Sequence, residues 1–373
     1  MQKKTLLYVF GIAAFLGLIL GTGYFANELR LKIISGPAKD QFSLGEGQKG
    51  VSLNPNFSNK SASSKSAQSL PTLPGGQGQP KEAAPSADSE TEPTEQPKKE
   101  EEKAASYSFA VIGDTQRFDP NNANGGLQKA VKNIEGKNVG LVMTDGDLLS
   151  SCDGKSGCEK KLGEWKKTLG SLYAKTYEMM GNHDRTGDDK SDALWQKFFD
   201  LPSNGPEGYK ELVYSFDFEN SHFVVLNSEK PKEHAVNKTQ RDWLEKDLSD
   251  NKKDNTFVFF HEPAYPVSSK MNESLDVEKS DRDALWKVLK DNKVSAVFNG
   301  HEHIASRRAV DGIQQFVFGN TDSFDHDLPE AGVAEYSYRG KSYGIVEVNG
   351  KKITVKTYSV DGSEQNSFDF SSI

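Results

Sequence analysis

The chain has 373 residues, a mean hydropathy of −0.67 and a formal net charge of −8, with 27% of its side chains charged. That length allows one large domain or two medium ones. An acidic balance without any Lys/Arg block excludes a general nucleic-acid binder, which needs a basic footprint, but it leaves a small phosphorylated substrate open, because bound divalent cations would dominate the local field.

The first element in chain order is an apolar run over residues 6–25, preceded by Lys3 and Lys4. About 20 apolar residues are needed to cross the hydrocarbon core of a bilayer, so residues 1–34 are expected to be an N-terminal membrane anchor or signal segment. A cleavable signal peptide has a shorter apolar core and a small-x-small site. Here the bulky Tyr24 occupies the site before Asn27, and Gly21-Thr22-Gly23 offers a weaker alternative. An uncleaved single-pass anchor is favoured over a cleaved signal. No second span follows, and a long domain after a short Lys-bearing N-terminus is expected on the extracytoplasmic side of the cell membrane.

Residues 35–105 hold eight of the fifteen prolines and only two aromatics, Phe42 and Phe57. Such a stretch cannot bury enough apolar surface to offset its ordering entropy. It reads as a disordered Pro/Ser/Gly/Glu-rich linker that holds the next domain away from the membrane.

A domain over 106–373 follows, where short apolar runs alternate with amphipathic stretches. Buried strands are expected at 108–112, 139–143, 176–180, 256–260 and 294–298, and helices near 125–136, 159–171, 190–200, 238–249 and 279–291. That alternation implies an α/β fold. Further strands at 212–218, 222–226, 314–318, 343–348 and 353–358, the last pair joined through Asn349-Gly350, make it mixed rather than purely parallel. Cys152 and Cys158, the only cysteines, are a candidate loop disulfide in an oxidising compartment, with two free thiols as the alternative.

The chemistry sits at the strand ends. The first buried strand is followed by Gly113-Asp114-Thr115-Gln116, the second by Asp145-Gly146-Asp147, and the third by Gly181-Asn182-His183-Asp184. The fourth is followed by His261-Glu262-Pro263 and the fifth by Gly300-His301-Glu302-His303. Ligands of open α/β sheets bind outside the carboxyl ends of the strands, and a mixed set of carboxylate, amide and imidazole donors suits borderline divalent cations. Taken singly, each segment has an ordinary reading: a strand-to-turn junction at Asp114, turn chemistry at Asp145 and Asp147, a helix cap at Asn182. Their joint order at successive strand ends points to a metal site.

These segments resemble the calcineurin-like metallophosphoesterase superfamily, whose motifs run Asp-x-His, Gly-Asp, Gly-Asn-His-Asp/Glu, a lone His and Gly-His-x-His. The resemblance implies an α/β (mixed) fold, a two-sheet sandwich flanked by helices, with two divalent metal ions (Mn, Fe, Zn, Ni or Mg). One ion would take Asp114, Asp147 and His303, the other Asp147, Asn182, His261 and His301, with Asp147 bridging. A hydroxide shared by the ions would attack the phosphorus of a phosphomonoester or phosphodiester substrate in line. His183 would face the leaving-group oxygen, and Asp184 would orient His183. Gln116 departs from the pattern: its amide oxygen can coordinate, but more weakly than imidazole. A catalytically impaired binding module of the same fold is therefore the alternative. Ser150 stands where iron-containing purple acid phosphatases carry a ligating Tyr, so a purple iron enzyme is not expected.

The remaining candidates read blandly. His222 is expected to be structural and His234 solvated. Asp322-Ser-Phe-Asp325-His326-Asp327 reads as an exposed acidic loop, and Lys160, Lys161, Lys166 and Lys167 as a solvated helix face. Trp165, Trp195, Trp243 and Trp286 are expected in the core. No specific nucleic-acid partner is implied, and the substrate and the oligomeric state are not legible.

Overall fold

The computed structural model describes residues 105–151, 157–185 and 189–372; the apolar run, the linker and Cys152 lie outside them. Among the described residues no helix is long and apolar enough to cross a membrane. Cys158 is disulfide-bonded.

Among the described residues thirteen strands form two mixed sheets. In the first, β1 (Ser106–Ile112), β2 (Leu141–Thr144) and β3 (Thr176–Tyr177) run parallel, while β11 (Ser342–Asn349), β12 (Lys352–Ser359) and β13 (Glu364–Ser371) extend it antiparallel from β1. In the second, β5 (Ser221–Val225), β6 (Asn255–Phe259), β7 (Ala296–Asn299) and β9 (Ile313–Phe318) are parallel. The antiparallel β4 (Tyr214–Phe218) closes one edge, and β8 (Ala305–Val310) with β10 (Tyr336–Tyr338) closes the other. Among the described residues five α-helices connect and cover the sheets: α1 (Gly126–Glu135), α2 (Cys158–Leu169), α3 (Asp189–Phe198), α4 (Lys238–Asp250) and α5 (Lys279–Asp291).

The continuous apolar character of β1, β2, β6 and β7 follows from burial on both faces. Phe109 on β1 sits between the sheets, its ring within 5.2–6.4 Å of Phe223, Phe257, Phe259 and Phe298 on the second sheet. This aromatic layer locks the two sheets face to face and so brings their carboxyl ends to one rim.

The expected helices and buried strands are found, with three differences. Strand β3 is only two residues long, because the chain leaves the sheet at Glu178 and runs to the site as an irregular segment. The β11–β12 turn has Gly350 and Lys351 at its centre, since Asn349 pairs with Lys352. Strands β8, β10 and β13 go beyond the expected set. The β8–β9 hairpin turns through Asp311 and Gly312, both at positive φ (52° and 88°), the dihedral signature of a two-residue Asp-Gly hairpin.

His222 is structural, as expected. Its imidazole lies 2.7 Å from Asp217 Oδ1, its cross-strand neighbour, and 2.9 Å from Asp247 Oδ2 on α4. Burial alone would lower its pKa; the Asp247 and Asp217 carboxylates outweigh that and raise it. Lys253, 3.6 Å from Asp217 Oδ2, is the nearby cation. A folded-state pKa above the unfolded value means that the contribution is complete below about pH 6.5 and fades as pH rises through the folded value. Stability by urea unfolding should therefore fall with rising pH across this window. His222→Gln should cost about 1–3 kcal/mol at pH 6 and flatten that slope.

Candidate metal centre

Each strand end delivers its residues through a tight, cross-linked turn. Backbone Asp114 N donates to Gly146 O at 3.0 Å and Thr115 N to Asp147 O at 2.9 Å, lashing the β1 and β2 ends together. Trp165 Nε1 on α2 donates to Thr115 Oγ1 (2.9 Å), which donates to Leu148 O (3.1 Å). Trp165 is thus a core residue, as expected, but also a brace beneath both loops. Across the rim, His301 N donates to Asp114 Oδ2 at 3.0 Å, tying the second sheet to the first.

Four of the expected ligands, Asp114, Asp147, His301 and His303, hold left-handed backbone conformations with φ between 48° and 69°. For residues with a side chain this region costs of order 1–3 kcal/mol, and such positions cluster at functional sites. Space is cleared by glycine: a Cβ on Gly181 would lie 2.3 Å from Asp147 Oδ1 and 2.5 Å from Asp147 N.

The side chains converge in two lobes. In one, His303 Nε2 lies 3.1 Å from Asp114 Oδ1 and 2.9 Å from Gln116 Nε2. In the other, Asn182 Oδ1 lies 3.0 Å from His261 Nε2 and 3.1 Å from His301 Nδ1. Asp147 faces both: Oδ1 is 3.4 Å from His261 Nε2, and Oδ2 is 3.2 Å from Gln116 Nε2. Asp114, Asp147 and His261 present their ligand atoms within 4.8 Å of one another. All seven expected ligands therefore meet at one place. Asp145 does not join them as a ligand: its carboxyl points under the cluster, buried and without a hydrogen-bond partner.

The donor set fits cations. His261 Nδ1 sits 2.7 Å from Asp145 O and His301 Nε2 sits 2.7 Å from Glu273 O. A carbonyl only accepts, so these nitrogens carry the hydrogens, and in the neutral rings the opposite nitrogens turn lone pairs into the cluster. There they meet Asn182 Oδ1 and Asp147 Oδ1, further acceptors with no hydrogen between them. His303 also turns Nε2 inward, with Nδ1 3.4 Å from Ser323 Oγ. Burial and the neighbouring His261 hold His301 well below the usual histidine range, which keeps it neutral and ready to ligate. For His261, burial lowers the pKa but the Asp147 and Asp114 carboxylates raise it well above normal; a cation among the same carboxylates takes that proton's place. Gln116 Oε1 is buried without a partner while its amide nitrogen faces Asp147 and His303. Turning the amide over sets the oxygen into the cluster, where a cation would satisfy it.

His183 lies at the open side, 44% of its side chain exposed, with Nε2 3.9 Å from Asp147 Oδ2. Its Nδ1 is 3.0 Å from Ser150 O. That corrects the expected role of Asp184, which does not touch the ring. The Asp184 carboxylate instead accepts from Gly181 N, Leu148 N and Leu149 N at 3.0–3.1 Å, holding the loops that carry Asp147 and Asn182. Burial, aided by Asp147, raises its pKa to about 7.

Other residues around the site differ from expectation or lie outside it. His234 is not solvated: it is part-buried, 2.8 Å from Glu262 Oε2. Glu302, between the paired histidines, is fully buried and accepts from Val267 N and Ser268 N at 2.7 and 2.6 Å. Asp322 is buried, accepting from Leu127 N at the start of α1 and pairing with Lys341. His326 stacks on His303 at 4.3 Å. Glu302 and Glu262 carried a sequence signal, their places inside the Gly-His-x-His and His-Glu-Pro segments.

The calcineurin-like phosphoesterase family model matches residues 107–305, more than half of the chain. The chain is 25% identical over 231 residues to the cAMP/cGMP dual specificity phosphodiesterase of Mycobacterium tuberculosis (strain CDC 1551 / Oshkosh), covering 61% of this chain and 68% of that protein. Among solved structures it is similar to a purple acid phosphatase from yellow lupin (Lupinus luteus) seeds, with a TM-score of 0.61 at 15% identity. That match covers 72% of this chain and 54% of the lupin one, about half its length. It is also similar to a dimetal phosphatase from Danio rerio, with a TM-score of 0.51 at 16% identity over 72% of this chain and 99% of that one; at such identities a likeness carries the fold alone. The chain belongs to the calcineurin-like phosphoesterase family, hydrolases of phosphoric ester bonds that use a dinuclear divalent metal centre.

Proposed function

We propose that this protein hydrolyses a phosphomonoester or phosphodiester on the extracytoplasmic side of a membrane, tethered there by its N-terminal apolar run. The carrying observation is the two-lobed cluster with Asp147 facing both lobes. Asp114, Gln116, Asp147 and His303 would hold one divalent ion, and Asp147, Asn182, His261 and His301 the other. When bound, such a pair lowers the pKa of water toward neutrality and offsets charge on the phosphoryl oxygens. The protein's own residues then do three things. The carbonyls of Asp145 and Glu273 fix the two imidazoles in the tautomer that ligates. Asp184 holds the loops in register. His183, its Nδ1–H held by Ser150 O, offers Nε2–H, when the ring carries hydrogens on both nitrogens, to the ester oxygen that departs as the P–O bond breaks. The extracytoplasmic placement rests on Lys3, Lys4 and residues 6–25 followed by a Pro-rich tether.

The purified protein should release nitrophenolate from p-nitrophenyl phosphate or its bis-ester with Mn, and EDTA should abolish this. Turnover surviving both EDTA and His301→Ala would rule the mechanism out. A second reading, a binding module of the same fold, is favoured by Gln116 replacing the imidazole; one ion per chain with no turnover would support it.

A further inference from the structure

We propose that Phe324, with the Arg117 guanidinium beside it, is the subsite for a planar aromatic substituent of the ester, an aryl ring or a nucleobase. This rests on the phosphoesterase reading above and names its substrate class.

Among the described residues the exposed large hydrophobics are Met271, Val277, Phe324 and Leu328, 44–52% accessible. All four lie on two loops, 260–278 after β6 and 319–335 after β9, which reach the site through Glu273 O on His301 and Ser323 Oγ on His303. An exposed apolar side chain in contact with a residue of a polar site marks where the organic part of a ligand can pack. Phe324 is the member nearest the chemistry. Its ring centroid is 4.6 Å from that of His303, edge to face at 82°, and 5.1 Å from that of His326. A phosphoryl group held at the cluster keeps its ester substituent within a few bonds of His303, so that substituent reaches the Phe324 ring.

The surroundings select an aromatic group over a lipid surface. Arg117, directly after Gln116, places its guanidinium carbon 5.0 Å from the Phe324 centroid and engages no carboxylate among the described residues. A guanidinium and a phenyl ring together give a stacked aromatic group both dispersion and cation–π attraction. Asp325, Asp327 and Glu330 on the same loop would repel an anionic bilayer.

The test compares p-nitrophenyl phosphate, a purine nucleoside 5′-phosphate and glycerol phosphate, with their methyl diesters in parallel, by phosphate or alcohol release from the purified full chain with Mn. Phe324→Ala should lower kcat/KM for the ring-bearing esters at least ~10-fold relative to the glycerol ester, mostly through KM, and Phe324→Trp should retain the preference. A fall confined to the nitrophenyl ester assigns the subsite to simple aryl groups; one confined to the nucleotide assigns it to a base. An unchanged preference, or an equal fall on all esters with loss of bound metal, overturns the proposal, the latter making Phe324 a support for His303. Wild-type turnover of glycerol phosphate with no gain from a ring sinks the subsite but not the phosphoesterase reading, whereas turnover of no ester sinks both.

Discussion

Asp147→Asn is expected to cut kcat/KM by at least ~10³-fold, equivalent to about 4 kcal/mol of transition-state stabilisation, and to reduce bound metal from two ions per chain to at most one. The reason is geometric. Asp147 alone turns an oxygen toward each lobe, Oδ1 to His261 and Oδ2 to Gln116, so losing its charge weakens both sites together. Asn is the informative replacement because it tolerates the left-handed backbone (φ 53°) that Asp147 holds. Its amide oxygen can still accept from His183 N, now 2.8 Å from Oδ1, so the fold survives while the bridging charge is lost. Elemental analysis with paired kinetics measures both quantities. Two tightly held ions and near-normal turnover in this variant would show that the lobes do not share Asp147, and two independently held ions would replace the bridged pair.

Most of this centre was legible in the sequence because it is built at strand ends. A buried parallel strand is a continuous apolar run, so polar residues just past its end stand out, and Asp114, Asp147, Asn182, His261, His301 and His303 are found that way. The layer of residues behind them was not legible. Asp184 reads as part of the Gly-Asn-His-Asp segment, yet its carboxylate turns to backbone amides 35 and 36 residues upstream at Leu149 and Leu148; no local pattern encodes that direction. His234 and Glu262 are 28 residues apart and meet only because β6 ends beside the loop after β5. The unexpected strands were hidden for another reason. Ala305–Val310 contains Ser306, Arg307 and Arg308 and reads as a polar loop. It becomes a strand because β9 supplies the ladder and the Arg307 guanidinium lies over Phe368 at 3.7 Å. The Asp311-Gly312 and Asp361-Gly362 dipeptides were available turn signals for β8 and β13.

The roles of His183 and Asp184 separate in a second variant pair. His183→Asn is expected to slow turnover of an alkyl or nucleoside ester by about 10²–10³-fold and of a p-nitrophenyl ester by less than about tenfold, because nitrophenolate departs without a proton. Ser150 O accepts from Nδ1, so in the doubly protonated ring Nε2, on the open, Asp147-facing side, is the atom that can donate outward. Asp184→Asn should behave differently. Its carboxylate satisfies three backbone N–H groups and never meets the imidazole, so the substitution should cost about 1–3 kcal/mol of stability and lower kcat for good and poor leaving groups alike. The two signatures are read from a plot of log kcat against leaving-group pKa: steepened in His183→Asn, displaced but parallel in Asp184→Asn. A parallel displacement in His183→Asn would instead assign the imidazole to the non-bridging phosphoryl oxygens, whose charge grows to a similar extent whatever group departs.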